Sequence, residues 1–344
     1  MNELRTSSEA QAAGDRASFA AFDELIRSGR VDAGAAKYFT SSAERRRVFN
    51  ISEATGAGGG YMLPTRAVAA VAKLLPAATP ILSLSRVVET ETGAPMIWPA
   101  LEENSQGAGL VPEGQTSTNA DPSISAFVFG TTPKFTSGIV AASFEALQDS
   151  AADIANELVE IFARRLGRAL EAFFAMGSGV SQPQGVFVGA PVGVMLPAGN
   201  TTSVTSAGLS ALYASVDANH RQSSRCAWLM SDSTWLAVQQ IAAAQNWPLW
   251  FSAPTGAQPT SFLFGKPVVI SSGAPPMGAS AKPIVFGNFD VFAVRLVKGV
   301  VMLRMDDSRF VSKGEVGFQA FLRADSRFTA ATTTGVCLLQ NSVS

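Results

Sequence analysis

The chain has little of what most enzyme active sites are built from. Its 344 residues include one histidine, His220, and two cysteines, Cys226 and Cys337. A metal site with several histidines is therefore excluded, and the two cysteines form neither a metal-binding spacing nor a disulfide framework. His220 lies in a polar stretch where a solvated side chain is expected, and no G-x-S-x-G motif supplies a nucleophile for it. The sequence predicts no enzyme, no metal site and no cofactor.

Charged residues and long apolar runs are also scarce. Charged residues make up 15% of the chain, against a typical share of about 25%, and the formal net charge is −1. This near-neutral balance argues against a protein whose main role is electrostatic binding of nucleic acid. No apolar run reaches the ~18 residues of a membrane helix, so no membrane partner is expected. The few charges favour a chain that buries surface against other protein subunits.

The first part of the chain differs in composition from the rest. Residues 1–60 are rich in Ser, Ala, Glu and Arg and end in a glycine run, which predicts an extended arm with a flexible joint. Residues 92–135 are rich in Gly, Pro, Ser, Thr and Asn, but strand-like pieces lie at both ends. A structureless loop of that length is uncommon in a compact domain, so a long two-stranded excursion is predicted. Such a hairpin is marginal alone and needs a partner surface, predicted to be another subunit.

The strongest helical pattern covers residues 151–176. Apolar residues recur on one side at helical spacing, and charged residues such as Glu160, Arg164 and Glu171 are assigned to the other side. At 1.5 Å per residue this helix spans roughly 39 Å, enough to cross a whole domain. The residues predicted to form its buried core are Ile154, Leu158, Ile161, Phe162, Leu166 and Phe173.

Residues from about 195 to 297 alternate between helical and strand-like patterns, which is typical of an α/β lobe. The last part of the chain is strand-like again, so the chain is predicted to leave a first lobe and return to it. The fold class is therefore α+β. The segments predicted in the second lobe are helices at 207–219 and 233–244 and strands at 227–230, 266–271 and 283–287.

Four motifs occur in order along the chain. They are Gly58-Gly-Gly-Tyr-Met-Leu-Pro64, Val111-Pro-Glu-Gly114, the segment Ser143-Phe-Glu-Ala-Leu-Gln-Asp-Ser150 with the following long helix and Gly177-Ser-Gly-Val-Ser-Gln-Pro-Gln-Gly185, and Lys313-Gly-Glu-Val-Gly-Phe-Gln-Ala-Phe-Leu-Arg323. Each motif is weak alone, but in this order and spacing they resemble the major capsid proteins of tailed bacteriophages with the Hong Kong 97-like fold. The resemblance covers about residues 50–344.

The resemblance implies names and boundaries for the segments. In the family the excursion, called the E-loop, lies over a neighbouring subunit, and the residues of this chain expected to make that contact are Trp98, Leu101, Leu110, Val111 and Glu113. A separate scaffold, a small scaffold and an already trimmed chain all remain open for the arm. The implied segments are an N-terminal arm (1–60), a short helix and entry to the P-domain (61–82), the E-loop (83–133), the P-domain with its spine helix (134–194), the A-domain (195–297) and the closing strands of the P-domain (298–344).

The resemblance also implies a structural function. The chain is expected to self-assemble into hexamers and pentamers of an icosahedral shell that encloses double-stranded DNA without sequence-specific binding. Assembly in the cytoplasm of a bacterial host would lead to the virion capsid, and the implied partners are a portal protein, a scaffold or protease and a decoration protein. An encapsulin-like shell that encloses an enzyme is the alternative with the same fold. A hydrolase or transferase is the third hypothesis, and the missing catalytic constellation opposes it.

One feature of some relatives is not expected here. Those relatives join an E-loop lysine to an asparagine near the C-terminus through an isopeptide bond, and Asn341 is the candidate acceptor in this chain. No lysine occurs between Lys73 and Lys134, so the E-loop lacks the nucleophile. The sequence therefore predicts no such cross-link.

Overall fold

The computed structural model describes residues 61–62, 71, 74–102, 123–149, 154–244, 261–329 and 335–343. The chain forms two compact units and passes between them several times. Unit 1 consists of Met1–Ala78, Lys134–Ala169 and Lys298–Arg323. Unit 2 consists of Thr79–Pro133, Leu170–Val297 and Ala324–Ser344.

Strands and helices are mixed along the described chain. The strands are β1 (Tyr61–Met62), β2 (Arg86–Thr90), β3 (Met96–Glu102), β4 (Ser123–Phe129), β5 (Lys134–Ser143), β6 (Val192–Met195), β7 (Cys226–Met230), β8 (Phe262–Leu263), β9 (Lys266–Ile270), β10 (Ile284–Asn288), β11 (Phe292–Val297), β12 (Val301–Met305), β13 (Glu315–Phe328) and β14 (Val336–Gln340). The helices are α1 (Pro80–Leu84), α2 (Phe144–Asp149), α3 (Ile154–Met176), α4 (Val186–Gly189), α5 (Ser206–Ser215), α6 (Ala218–Arg221), α7 (Asp232–Ala244) and α8 (Ser308–Val311), with a 3-10 turn at Phe289–Val291.

The strands of unit 1 pair antiparallel. Strand β12 lies between β1 and β13, and the part of β13 in this unit pairs with β5 on its other side. Burial alternates along β12, where Met302 and Arg304 are buried, because successive side chains of a strand point to opposite faces. On β13 the buried apolar residues of this unit follow the same period: Val316, Phe318, Ala320 and Leu322.

Helix α3 contributes its first part to unit 1. Leu158, Phe162 and Leu166 are 4%, 1% and 0% exposed, and their spacing of four residues places them on one side of the helix. Ile161 lies at the edge of this side and is half-buried. The burial of Ile154 lies outside the described residues.

The prediction that Phe173 belongs to the buried stripe is wrong. Phe173 is 38% exposed, whereas Leu170 and Phe174, which follow Leu166 at steps of four, are both fully buried. Two adjacent phenylalanines lie about 100° apart around a helix, so only one can continue the inward stripe. The sequence pattern did not decide between them.

A six-stranded mixed sheet organises unit 2, in the order β6-β14-β10-β7-β9-β8. Strand β10 is antiparallel to both β7 and β14, while β7 and β9 run parallel. Every residue of β7 and of β10 is buried. Such strands are covered on both faces, which explains why their sequences are continuously apolar rather than alternating.

Trp228 lies at the centre of the core of unit 2. Its ring stacks on Phe286 with the centroids 4.2 Å apart, and its Nε1 donates a hydrogen bond of 2.9 Å to the Leu263 carbonyl. The bond satisfies the one polar atom of a fully buried indole. The core also contains Leu196, Val204, Leu209, Leu212, Val216, Cys226, Met230, Trp235, Val238, Val268, Ile284, Cys337 and Leu339.

Two of the predicted segments are divided between the two units, and their boundaries stay predictions. Residues 298–344 were assigned to the closing strands of the P-domain, but β14 lies between β6 and β10 in the sheet of unit 2. The part of β13 from Ala324 onward also belongs to unit 2, where it pairs with β11. Similarly, residues 170–194 of the range 134–194 group with unit 2. An apolar strand such as β14 fits the centre of any sheet, so its sequence does not show which one it joins.

Candidate subunit interface

The excursion predicted from composition begins and ends as a regular two-stranded hairpin. Strands β3 and β4 pair antiparallel over their full length, from Met96 opposite Phe129 to Glu102 opposite Ser123. Among the described residues these two strands form a sheet of their own, which no third strand joins. Each face of this two-stranded sheet is therefore open to contact with side chains of other segments of the chain or with a partner subunit.

The outer face of the hairpin is apolar and exposed. We use this name for Ile97, Pro99, Ala126 and Val128, which form two directly opposed pairs, Ile97 with Val128 and Pro99 with Ala126. Opposed residues share a face of a sheet, as do residues two apart on a strand. All four are exposed, with Ile97 at 70% and Val128 at 46%. Within the described part of the chain, these residues form a contiguous apolar surface that remains exposed.

The opposite face of the hairpin packs on its own chain. The Arg86 guanidinium lies over the ring of Trp98, 5.6 Å from its centroid, and Phe129 is fully buried. Phe127 and Phe129 meet edge to face with centroids 5.2 Å apart. We call this side the aromatic face, after Trp98, Phe127 and Phe129. It attaches the hairpin to the rest of unit 2 and leaves the outer face for another contact.

Arg295 on β11 holds the base of the hairpin. Its Nε donates to Thr90 Oγ1 at 3.0 Å and its Nη2 donates to the Thr92 carbonyl at 2.7 Å, both just before β3 begins. Its guanidinium also lies 6.0 Å from the ring of Phe129, at the end of β4. One buried arginine therefore contacts the chain where it enters the hairpin and where it leaves.

The structure describes only part of the predicted contact set. Trp98 lies on the aromatic face, where Arg86 of its own chain contacts it, and its contact with a neighbouring subunit stays a prediction. Leu101 is in β3 opposite Ile124, at the register position two residues after Pro99 and Ala126, and its contact also stays a prediction. Leu110, Val111 and Glu113 lie outside the described residues. Ile97 and Val128, which are exposed on the outer face, were not among the predicted residues, although alternation along the two strands would have paired them once the register was known.

Within the described residues, the side chains that could bind a metal ion or act as nucleophiles are scattered or buried. No group of three or more His, Cys, Asp or Glu side chains is close enough there to hold a metal ion. Burial raises the pKa of the Cys226 thiol to about 11, so this cysteine is an inert core residue rather than a nucleophile. No described helix is long and apolar enough to cross a membrane.

Solved structures of similar fold include the capsid of a GTA particle, a structure from a phage and an encapsulin. The capsid of an empty GTA particle has a TM-score of 0.58 at 22% identity and covers 88% of this chain and 98% of its own. A structure from Gordonia phage Cozz has a TM-score of 0.55 at 14% identity, covering 91% and 94%. The SrpI encapsulin of Synechococcus elongatus PCC 7942 has a TM-score of 0.54 at 12% identity, covering 89% and 97%.

These structures define the class: the chain has the Hong Kong 97-like fold, and the predicted α+β class is confirmed. Because the identities are low, the structural likeness alone does not distinguish a phage capsid from an encapsulin. The sequence profile described as the phage capsid family matches residues 59–332, and the chain belongs to that family. It is a structural major capsid protein, a component of a virion shell, and not an enzyme. No curated protein matches the sequence.

Proposed function

We propose that the chain assembles into the hexamers and pentamers of an icosahedral shell that encloses the double-stranded DNA of a tailed phage or prophage. The observation that supports the proposal is the exposed apolar outer face of the hairpin. In the assembled shell, a second copy of the chain covers this face. Assembly takes place in the cytoplasm of the bacterial host. A portal protein, a scaffold or protease and a decoration protein are the further partners that this function implies.

The chemistry of the outer face favours a protein surface over any other occupant. Ile97, Pro99, Ala126 and Val128 are all uncharged and apolar, so they offer no recognition to DNA phosphates. Burial of a large apolar side chain contributes about 1.5–3 kcal/mol. In a closed shell the same contact recurs at every subunit, so a modest gain at each hairpin adds up over the assembly.

The test substitutes two residues of the outer face and leaves the residues of the aromatic face unchanged. We expect the Ile97→Asp/Val128→Asp variant to keep the fold, seen as an unchanged circular dichroism spectrum, and to form no shells in negative-stain micrographs. A matched variant, Ile97→Leu/Val128→Ile, keeps the apolar chemistry and should form shells. Normal shells from the aspartate variant would overturn the proposed contact.

The content of the shell separates the two shell hypotheses. We expect particles made with the other head proteins to hold nuclease-protected double-stranded DNA. An encapsulin-like shell would instead contain a folded protein cargo and no protected DNA. Membership of the phage capsid family supports the first outcome.

A further inference from the structure

Three arginines lie together on the exposed side of α3, within unit 1. Arg164, Arg165 and Arg168 are all exposed, and with Ile161 they line one recess of the surface. Arg164 and Arg168 are one helical turn apart, and Arg165 lies next to both. We call these three side chains the arginine row. The row places three positive charges within about 6 Å along the helix axis.

The carboxylates of the described residues neutralise only part of the positive charge of the row. Arg164 pairs with Glu160 at 3.5 Å, but both side chains are more than 60% exposed, so solvent weakens the attraction. No described carboxylate pairs with Arg165 or Arg168. By contrast, Arg304 and Arg309 pair with Asp306 and Asp307 in the same unit.

Backbone contacts hold the row on the surface of the unit. The Arg165 Nη1 donates to the Ser137 carbonyl at 3.4 Å, which keeps this guanidinium against β5. Gly138, with a φ of 70°, is next to it, and a Cβ there would lie 3.9 Å from Arg165 Nη1. The Nε atoms of Arg164 and Arg168 face carbonyls one turn back, at 3.4 Å each. Within the described residues nothing pairs with the terminal nitrogens of Arg168, whereas the Arg164 Nη2 pairs with the exposed Glu160, which a phosphate would have to displace.

We propose that Arg164, Arg165 and Arg168 bind the phosphate backbone of the enclosed double-stranded DNA. This inference rests on the proposed function and identifies the face of the subunit that meets the DNA. Along one strand of double-stranded DNA the phosphates are about 3.4 Å apart along the axis, so a row of about 6 Å faces about two phosphates of that strand. Arginine forks bind phosphate oxygens in pairs of hydrogen bonds, without reading the base sequence. Because the whole chain has a net charge of −1, the attraction is local to this row.

The test measures salt-dependent binding of a short DNA duplex to purified full-length subunits by fluorescence anisotropy. Each phosphate contact contributes about 0.9 to the slope of log affinity against log salt. We therefore expect the Arg164→Gln/Arg165→Gln/Arg168→Gln variant to have a slope shallower by about 2 between about 50 and about 200 mM salt. Its affinity at low salt should fall at least tenfold.

A matched variant controls for the loss of charge. Lys298, Arg309 and Lys313 are exposed residues of the same unit, and replacing all three by Gln removes the same net charge. We expect this control to retain most of the slope. An equal loss in both variants would overturn the site, because it would show that only net charge matters.

Two further measurements separate the failure of this site from failure of the proposed function. If the triple arginine variant forms closed shells but binds DNA as the wild type does, the phosphate site is wrong and the shell function stands. If the wild type forms no closed shells, the proposed function is wrong. The second measurement is binding of polyglutamate to the wild type and to the triple arginine variant. If the variant loses polyglutamate binding but binds DNA as the wild type does, the row binds an acidic protein segment instead of DNA.

Discussion

Glu171 shows how one side chain can connect distant parts of unit 2. This glutamate on α3 is fully buried, and its Oε2 accepts a hydrogen bond of 3.2 Å from the Ile81 backbone N–H at the start of α1. The Ser271 hydroxyl, just after β9, donates to Oε1. Gly273 allows this approach, since a Cβ there would lie 2.8 Å from the Glu171 carbonyl oxygen and 2.8 Å from the Ala175 Cβ.

The pKa of Glu171 follows from this burial. Loss of solvent raises the pKa above the ordinary value of 4.5, and the hydrogen bonds from Ser271 and Ile81 oppose the rise without cancelling it. The folded state therefore binds the proton more tightly than the unfolded chain does. Consequently the contribution of the protonated carboxyl to stability is fully present below pH 4.5 and is lost as the pH rises through the folded-state pKa.

Replacing this acid by its neutral isostere should remove that pH dependence. In Glu171→Gln the amide oxygen can accept from Ile81 and the amide nitrogen can donate to Ser271, so both contacts survive without a charge. We expect the free energy of unfolding of the wild type to fall more than that of the variant as the pH is raised from about 4.5 to neutral. Urea unfolding of the purified subunit at several pH values measures the difference.

Glu160→Gln is the control, since Glu160 is on the same helix but is exposed. It should follow the wild-type pH profile closely. Parallel profiles for Glu171→Gln and the wild type would show that the buried carboxyl does not titrate as inferred.

The helical pattern of the sequence predicted that Glu171 lies on the exposed, charged side of the helix, together with Glu160 and Arg164. Nothing in the local pattern distinguishes these residues. Glu171 is buried because α1 and the segment after β9 cover it, and both are far from it in the chain. Burial of a polar group by non-local contacts is the information that helical periodicity does not contain.

At the scale of elements, α3 tests which side chains support the core. Phe162 is 1% exposed and Phe173 is 38% exposed on the same helix. We expect Phe162→Asp to lower the free energy of unfolding by more than about 4 kcal/mol, because it removes a buried ring and adds an unpaired charge to the core. Phe173→Asp, the matched change, should lower it by less than half as much. Thermal and urea unfolding followed by circular dichroism compare them, and equal losses would contradict the assignment of the buried side.

The hairpin base leads to a second expectation for an element. Lysine at position 295 keeps the positive charge but lacks the planar fork that reaches both Thr90 Oγ1 and the Thr92 carbonyl. We expect Arg295→Lys to increase amide hydrogen exchange in Met96–Glu102 and Ser123–Phe129. Exchange in Cys226–Met230, within the core sheet, should stay as in the wild type. Unchanged exchange in the hairpin would show that Arg295 is not what holds its base.

The elements of the second lobe were predictable because their signals are local. The helix predicted at 233–244 is α7 at Asp232–Ala244, and the strand predicted at 227–230 is β7 at Cys226–Met230. The faces of the hairpin and the position of β14 were not predictable in this way. Both depend on register and pairing between segments that are far apart, and a shift of one residue exchanges the two faces of a strand.

At the scale of the whole molecule, the order of the motifs was more informative than any single one. The four motifs predicted the Hong Kong 97-like fold, and the family match and the structural neighbours confirm it. For single residues the outcome is less complete, since Phe173 is partly exposed and the contacts predicted for Trp98 and Leu101 stay predictions. A fold is specified by many weak signals along the chain, whereas an interface depends on the direction of a few side chains.

The assembled shell should contain no isopeptide cross-links between subunits. The chain has no lysine between Lys73 and Lys134, so the hairpin region supplies no amine. The candidate acceptor, Asn341, is fully buried and its Nδ2 donates a hydrogen bond of 2.9 Å to the Thr201 carbonyl, which withdraws the amide from attack. Particles that are reduced, boiled and run on a denaturing gel should therefore give a single band near 35.9 kDa. A parallel sample treated with glutaraldehyde shows that the gel resolves covalent oligomers, and a ladder in the untreated particles would mean that another lysine and another acceptor are used.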